Sequence, residues 1–209
     1  MTDVTRRPDP KDLMMHGLIN RSIQCFLRDT YGAAQWDAVA LRARLGFSGF
    51  EAMLSYDADV TERVLEAACL VLDRPRDGVL EDLGTYLVSH QNVEAVRRLL
   101  RFGGVTFGDF LNSLEDLPER GRLAVPDLDL PDLRLMEGPD GTAILRARSP
   151  MPGMGHVALG LLRAMADDYG ALVYLEHLGR DGEWEIISVR ILDRAWTAGR
   201  RFELARGAA

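Results

Sequence analysis

The sequence lacks most of the short patterns from which function is commonly inferred. It contains two cysteines in 209 residues, and they do not form a CxxC pair. HExxH, GxGxxG and GxSxG are also missing, so the common signatures of metalloproteases, dinucleotide-binding domains and serine hydrolases are absent. Cys25 and Cys69 both lie in apolar helical patterns, and such thiols are core residues more often than redox or metal-binding groups.

Long hydrophobic runs and an excess of positive charge are missing as well. No apolar run approaches the roughly 18–20 residues of a membrane span, and no signal peptide opens the chain, so we expect a cytoplasmic protein. The net charge of −7 and the pI of about 5.1 argue against nucleic-acid partners, and nothing predicts a membrane partner. Arg97, Arg98 and Arg101 form a basic cluster, which we interpret as the solvated face of a helix.

What the sequence does contain is helical periodicity over its first part. Residues 1–14 are polar and include two prolines, which predicts a flexible lead-in to a single domain over 15–209. In "HGLINRSIQCFLRDTYG", the apolar residues fall on one face, and the helix is expected to end at Gly32. Similar spacing continues to about residue 125, so the helical part of the domain is expected over about 15–125.

Several residues of this part are candidates for helix N-caps, because their side-chain oxygens can accept bonds from the free N–H groups of a first turn. Asp59 or Thr61 is predicted to cap "VTERVLEAACLVLD", Asn92 to cap "NVEAVRRLLRFG", and Thr106 to cap "TFGDFLNSLEDL". In that last segment Pro118 follows Leu117, so the helix is expected to end near Asp116 or to restart with Pro118 in a first turn.

The period changes after Pro126. "DLRLMEGPDGTAILRARS" alternates on both sides of GPDG, and "ALVYLEHLGRDGEWEIISVRIL" does so around GRDGE, which predicts two hairpins. A helical pattern at 154–169 separates the two hairpins and ends at Gly170. The sheet part is expected over about 126–195, and the whole is an α+β fold with a four-stranded antiparallel sheet and a packed helix.

The order and spacing of several strings resemble the haem-nitric oxide/oxygen binding family (H-NOX or HNOB), bacterial relatives of the sensor domain of soluble guanylate cyclase. The strings are "MHGLIN", "GGVTFGDFLNSLEDL", "AVPDLDLP" and "RSPMPGMGHVALGLLRAM", and the resemblance covers residues 15–193. It implies the H-NOX fold, a haem cofactor, and a signalling partner such as a histidine kinase or a diguanylate cyclase.

Two motifs that the resemblance implies for haem are altered in this sequence. The family's axial histidine lies eight positions before the first proline of the following segment; that proline is Pro126, and the position is occupied by Pro118. Proline has no donor atom for iron, whereas a neutral imidazole is a good axial ligand. In the family's Tyr-x-Ser-x-Arg motif for the propionates, the matching residues are Ala147, Ser149 and Met151, and methionine cannot replace the fork of arginine.

Substitutes for the missing groups are few. Arg146 and Arg148 are expected on the opposite face of their strand, because adjacent strand residues alternate. His156 is the leading substitute for the iron ligand and His16 a weaker one, although a bland structural role is favoured for both. The distal pocket wall implied by the family is apolar and lacks a tyrosine donor, which would favour nitric oxide over oxygen if haem were bound; its positions are Ile19, Ile23, Leu87 and Val157.

These observations favour a stand-alone sensory or regulatory module that acts through a partner and binds no haem in the family's usual way. No cofactor or metal ion is favoured. Two alternatives stay open: a haem-binding nitric oxide sensor with a non-standard ligand, and a binder of another apolar or tetrapyrrole-like ligand. An enzyme is not expected, because the pairs Glu115/Asp116 and Asp167/Asp168 are adjacent and diverge by about 100° on a helix. We interpret both pairs as solvated faces.

Overall fold

The computed structural model describes residues 14–193. The lead-in expected over 1–14 therefore lies outside the described residues except for Met14, and so does the end of the expected domain. Within the described range the helical part consists of α1 (Gly17–Tyr31), α2 (Ala33–Arg42), α3 (Ala58–Leu72), α4 (Arg76–Ser89), α5 (Glu94–Arg101), α6 (Phe107–Asn112) and α7 (Leu117–Ala124). Two short antiparallel strands, β1 (Met14–His16) and β2 (Ser55–Asp57), pair beside it. None of the helices in this range is both long and apolar enough to span a membrane.

Helix α1 forms as its sequence predicts. Nδ1 of His16 accepts a hydrogen bond from the Leu18 N–H at 3.1 Å, so this buried histidine caps the helix with that nitrogen. Gly32 ends the helix with φ of 96°, a conformation that costs glycine little. Ile23 and Phe26, on the predicted apolar face, are fully buried.

Of the predicted N-caps, only Thr106 is confirmed. Its hydroxyl accepts the N–H of Asp109, whose carboxylate accepts the Thr106 N–H in return, which is a capping box. The prediction for α3 was wrong, because the helix begins earlier, at Ala58, and Thr61 is buried with its hydroxyl donating to Asn20. Asn92 was also wrong as a cap: it lies in a 3-10 turn before α5, and its amide donates to Asp29.

The sheet is four-stranded and antiparallel, as predicted. Its strands are β3 (Asp132–Glu137), β4 (Ala143–Arg148), β5 (Leu172–Asp181) and β6 (Trp184–Asp193), in the spatial order β3-β4-β6-β5. Helix α8 (Met154–Tyr169) connects the two hairpins and packs on one face of the sheet. Inward side chains such as Leu145 and Ile187 are buried against it, while their strand neighbours point to the opposite face.

Two hydrophobic cores meet at α8. The first lies in the helical part and includes Val157 from α8 together with Met151; the second lies under the sheet and includes Leu162. Helix α4 packs directly on α8 through glycines, since a Cβ on Gly84 would collide with the backbone of Val157 and one on Gly160 with the backbone of Glu81. The helical part and the sheet part are therefore joined by close backbone contact.

The basic cluster of α5 is not a simple solvated face. The guanidinium groups of Arg97 and Arg101 both bind the carboxylate of Asp168 at the end of α8, with 3.0 Å between Arg101 Nη1 and Asp168 Oδ2. The Asp168 side chain is only 11% exposed, so the expectation that Asp167 and Asp168 are both solvated was wrong for Asp168. The partners lie far apart in sequence, and only the fold brings them together.

Candidate functional site

The position expected for an iron ligand is part of a helix start. A 3-10 turn over Leu114–Asp116 follows α6, and α7 begins at Leu117 with Pro118 in its first turn. A proline fits there because first-turn N–H groups have no partner within the helix. Pro118 is buried, and its ring offers no lone pair to a metal ion. The restart predicted as one alternative for this proline is the arrangement found.

An open cleft of about 690 Å³ lies beside Pro118 and is also lined by Ser149, so the structure brings these two motif positions to one place. Most of the other lining residues are charged. Five are acidic (Glu115, Glu119, Asp129, Asp132 and Glu183), and three are basic (Arg122, Arg148 and Arg180). This excess of carboxylates opposes the binding of two propionates, because like charges repel.

The other two positions of the propionate motif are buried in different cores. Ala147 is 1% exposed and belongs to the core under the sheet, where it pairs with Leu133 and Glu185 on the neighbouring strands. Met151 is 4% exposed and belongs to the core of the helical part. Ser149 accepts the Met151 N–H through its hydroxyl at 3.2 Å. The three residues thus shape a turn between strand and helix, and none supplies a cation.

Arg146 and Arg148 do not compensate for the missing arginine. Both guanidinium groups lie over the ring of Trp184, at 5.3 and 4.9 Å from its centroid. Arg146 donates to Asp181 and Arg148 to Asp132, each at 2.8 Å. Their strand alternates as expected, so both arginines point away from the face that carries Ala147.

The four residues expected along a distal pocket do lie together. Ile23 and Val157 are buried in the core of the helical part, and Ile19 and Leu87 pack against it half-buried. Tyr86 belongs to the same core, but its hydroxyl donates to Asp29 at 2.6 Å. Burial, and next to it this hydrogen bond, raises the pKa of Tyr86. The same bond is the main reason why the pKa of Asp29 is lowered.

His156 does not face this apolar wall as a free ligand. Its Nδ1 lies 3.3 Å from Glu81 Oε1 and its Nε2 lies 3.5 Å from Asp77 Oδ1, both on α4. Its ring packs on that of His177, with 4.3 Å between the centroids. Among residues 14–193, no group of three or more histidine, cysteine or acidic side chains is arranged to hold a metal ion.

Sequence reasoning missed a buried carboxylate that lies next to His177. Glu185 is 5% exposed, and its two oxygens accept the N–H groups of Gly153 and Gly155 at the start of α8, each at 2.9 Å. His177 Nε2 lies 3.3 Å from the same carboxylate. A Cβ on Gly155 would approach both side chains to 2.6 Å, so a larger residue there would have to displace them. The sequence signal that could have predicted its burial is an acidic residue at an inward-facing position of a strand with alternating polarity.

These residues do not fit a haem held by an axial histidine and an arginine clamp. The position expected for the ligand is a proline, the position expected for the arginine is a buried methionine, and the leading substitute histidine contacts two carboxylates. The residues of the apolar wall belong to the core of the helical part, which also includes Met151. Neither position expected to attach haem carries the residue that the family uses.

Comparison with known proteins gives a consistent picture of the family. The model of the haem-NO-binding (HNOB) family matches residues 16–177. Soluble guanylate cyclase gcy-32 of Caenorhabditis elegans is 30% identical over 160 residues, which are 73% of this chain and 23% of that protein. Soluble guanylate cyclase gcy-31 of the same organism is 25% identical over 154 residues, 74% of this chain and 22% of that protein. The chain thus spans about a quarter of the length of these relatives.

Solved structures show the same fold. The H-NOX protein from S. oneidensis in the Fe(II)NO ligation state superposes with a TM-score of 0.70 at 17% identity, covering 86% of this chain and 100% of the other. The Fe(II) unliganded H-NOX protein from K. algicida gives a TM-score of 0.70 at 19% identity, covering 87% and 99%. With a family match over most of its length and this fold, the chain belongs to the haem-NO-binding (H-NOX) family.

Proposed function

We propose that this chain is a sensory or regulatory module on the H-NOX fold that acts through a partner signalling protein and does not bind haem in the family's usual way. The observation that carries the proposal is Pro118, a buried first-turn proline at the position expected for the iron ligand. The partner would be a protein such as a histidine kinase or a diguanylate cyclase, and we place the module in the cytoplasm.

Support for haem independence comes from the packing of Met151 in the core of the helical part. Met151 fills a core position beside Val157, so the residue that stands in the arginine's place stabilises the fold through apolar burial. Burying a methionine side chain contributes roughly 1.5–3 kcal/mol. A protein that uses this position for packing keeps its core without a prosthetic group.

The visible spectrum of the protein tests the proposal. The chain is expressed with haem supplied, purified, and measured with and without nitric oxide. We expect no stoichiometric Soret band, because there is no axial imidazole at position 118 and no arginine for the propionates. A band at one haem per chain that shifts with nitric oxide would refute haem independence and favour a haem sensor with a non-standard ligand.

Adding the missing groups gives the complementary test. Pro118→His combined with Met151→Arg is expected to increase haem uptake over the unmodified chain, and Pro118→His alone to do so less, since the propionates stay unpaired. Pro139→His is the matched control, because Pro139 lies in the exposed turn between β3 and β4. Equal uptake by Pro118→His and Pro139→His would show that the ligand position has been assigned wrongly.

Replacing His156 by alanine tests the alternative in which the chain binds haem through a non-standard ligand. If the chain takes up haem through His156, His156→Ala abolishes the band, and the proposed engagement of that imidazole by Asp77 and Glu81 is then not retained in solution. If the spectrum of His156→Ala is the same as that of the unmodified chain, His156 is not the ligand. The second result is expected from the two carboxylate contacts.

A further inference from the structure

One ring nitrogen of His90 lies between two neighbours at the junction of α4 and α5. His90 is the first residue after α4, and its Nδ1 accepts the N–H of Asn92 at 3.2 Å, which caps the 3-10 turn over Gln91–Val93. The same Nδ1 lies 3.7 Å from Oδ2 of Asp29 on α1. A backbone N–H can only donate, so Nδ1 carries a lone pair and no proton in this arrangement.

Two ionisable groups contact the ring of His90, and both keep their charge state between pH 5 and pH 8. Tyr86 on α4 stacks on it with 4.8 Å between the ring centroids, and Tyr86 stays neutral because burial raises its pKa. Asp29 stays ionised because the hydrogen bond from Tyr86, above all, lowers its pKa. Behind them, Arg28 acts on Asp29 and Cys25 on Tyr86. Histidine is the side chain that ordinarily gains a proton in this range.

Protonation of His90 exchanges the partners of Nδ1. An imidazolium has a proton on both ring nitrogens and no acceptor, so Nδ1 loses the Asn92 N–H and can donate to Asp29 instead. The carbonyl groups at the end of α4 attract the positive charge, and so does Glu94, an exposed carboxylate in the first turn of α5. The N–H groups at the start of the 3-10 turn repel it, which favours release of the cap.

Asp29 is already in place to receive the proton. Its Oδ2 accepts the Tyr86 hydroxyl at 2.6 Å and the side-chain amide of Asn92 at 2.8 Å, so the carboxylate is fixed while the ring is free to approach. A movement of the ring by about 1 Å gives the separation of about 2.8 Å that is usual for a charged hydrogen bond. The side chain of Asn92 stays bound to Asp29 while its backbone N–H is released.

The junction matters because α5 is connected to the central helix α8. Arg97 and Arg101 of α5 both bind the carboxylate of Asp168 on α8. Helix α5 begins directly after the 3-10 turn, and Val93, its own N-cap residue, makes no side-chain cap bond. The bond between His90 and Asn92 is therefore the side-chain cap of the segment that leads to this ion-pair cluster.

We propose that His90 is a proton-operated switch at the junction of α4 and α5. Neutral His90 caps the turn at Asn92, whereas protonated His90 releases that N–H and pairs with Asp29. Acid thereby loosens the start of α5 and strengthens the contact between α1 and the end of α4. The switch goes beyond the proposed function, since it needs neither haem nor a partner protein.

An NMR titration of the ¹⁵N,¹³C-labelled chain from pH 8 to pH 5 tests the switch. At pH 8 we expect His90 in the tautomer with the proton on Nε2. As His90 is protonated, the Asn92 amide proton is expected to move upfield, because it loses its acceptor, and the Asp29 carboxyl carbon to shift with the same midpoint. Amide exchange of Asn92, normalised to the intrinsic rate at each pH, is expected to become about two- to tenfold faster, as for the loss of one hydrogen bond.

Asparagine at position 90 separates capping from titration. The side-chain oxygen of His90→Asn can accept the N–H two residues further on, as in an Asx turn, but it takes up no proton in this range. The steps at Asn92 and Asp29 are therefore expected to disappear while the turn is retained. His156→Asn is the matched control, because it replaces another partly buried histidine, on α8, and is expected to leave both steps unchanged.

Three outcomes would refute the switch. They are the opposite tautomer of His90 at pH 8, an Asn92 amide that does not follow the protonation of His90, and steps that persist in His90→Asn. None of these measurements uses haem or a partner, so failure of the switch and failure of the proposed function are observed separately.

Discussion

Replacing Glu185 by glutamine tests whether a single carboxylate fastens α8 to the sheet. The glutamine side chain would keep one acceptor oxygen and present an NH₂ group where the second oxygen now accepts a helix N–H. One N–H group at the start of α8 then loses its partner in a buried place, which costs about 1–3 kcal/mol. Losing the negative charge at a partly buried helix N-terminus adds up to about 2 kcal/mol.

The expected total is a loss of about 1–5 kcal/mol in the free energy of unfolding. For a chain of this length, that corresponds to a fall of roughly 2–20 °C in Tm. Thermal unfolding and urea unfolding, both followed by circular dichroism, measure the effect. An unchanged m-value shows that the variant and the unmodified chain expose the same amount of surface on unfolding.

Glu183→Gln is the matched control, because it removes the same charge two residues away. The Glu183 side chain is 63% exposed and lies 3.9 Å from Arg148, so the variant is expected to lose less than about 1 kcal/mol. If Glu185→Gln and Glu183→Gln unfold at the same temperature, the carboxylate does not hold α8 and the reasoning is refuted.

Two further changes test the contacts around α4. Gly84→Ala places a methyl group against the backbone of Val157 and is expected to lower the free energy of unfolding in urea by at least about 1–3 kcal/mol. Gly78→Ala is the control, because it lies in an unobstructed part of the same helix, and it is expected to be neutral or to stabilise by up to about 1 kcal/mol. Similar losses from both variants would contradict the close approach of α4 to α8. Tyr86→Phe removes the hydrogen bond that chiefly lowers the pKa of Asp29, so an NMR titration should show that carboxyl titrating at higher pH. The lowered pKa of Asp29 stabilises the folded state above the unfolded pKa of about 3.9, and this stabilisation is lost as pH falls through the folded pKa. The difference in the free energy of unfolding between the unmodified chain and Tyr86→Phe is therefore expected to be larger at pH 7 than at pH 3. An unchanged titration of the Asp29 carboxyl would count against the hydrogen bond.

Elements whose pattern repeats within one segment could be predicted from the sequence. Helix α8 spans Met154–Tyr169, as the spacing before Gly170 predicts, and both hairpins turn at the predicted loops. Helices and hairpins follow local periods of 3.6 and 2 residues, so the information lies within the segment itself. The start of α3 failed because it depends on β2, which is ordered by pairing with a strand about forty residues earlier.

Charged residues were the least predictable, because a charge looks solvated until its partner is known. Glu185 binds Gly155, thirty residues away in sequence, and Asp168 binds Arg101, sixty-seven residues away. For the site, the family motifs predict that Pro118 and Met151 occupy the positions of the histidine and the arginine, and this assignment stays a prediction. The motifs could not show that Ala147 and Met151 belong to separate cores, since that depends on how the turn after β4 is packed.

Contacts at α8 connect the helical part of the fold to the sheet part. Helix α4 touches α8 through Gly84 and Gly160, while Met151 enters the core of the helical part and Glu185 holds the start of α8 from the sheet. Every one of these contacts is made at α8 or at the turn that leads into it. Glu115 makes a second connection, since its carboxylate accepts the Leu135 N–H of β3. Variants that loosen the contacts at α8, such as Glu185→Gln, are expected to alter the regulation of the proposed partner.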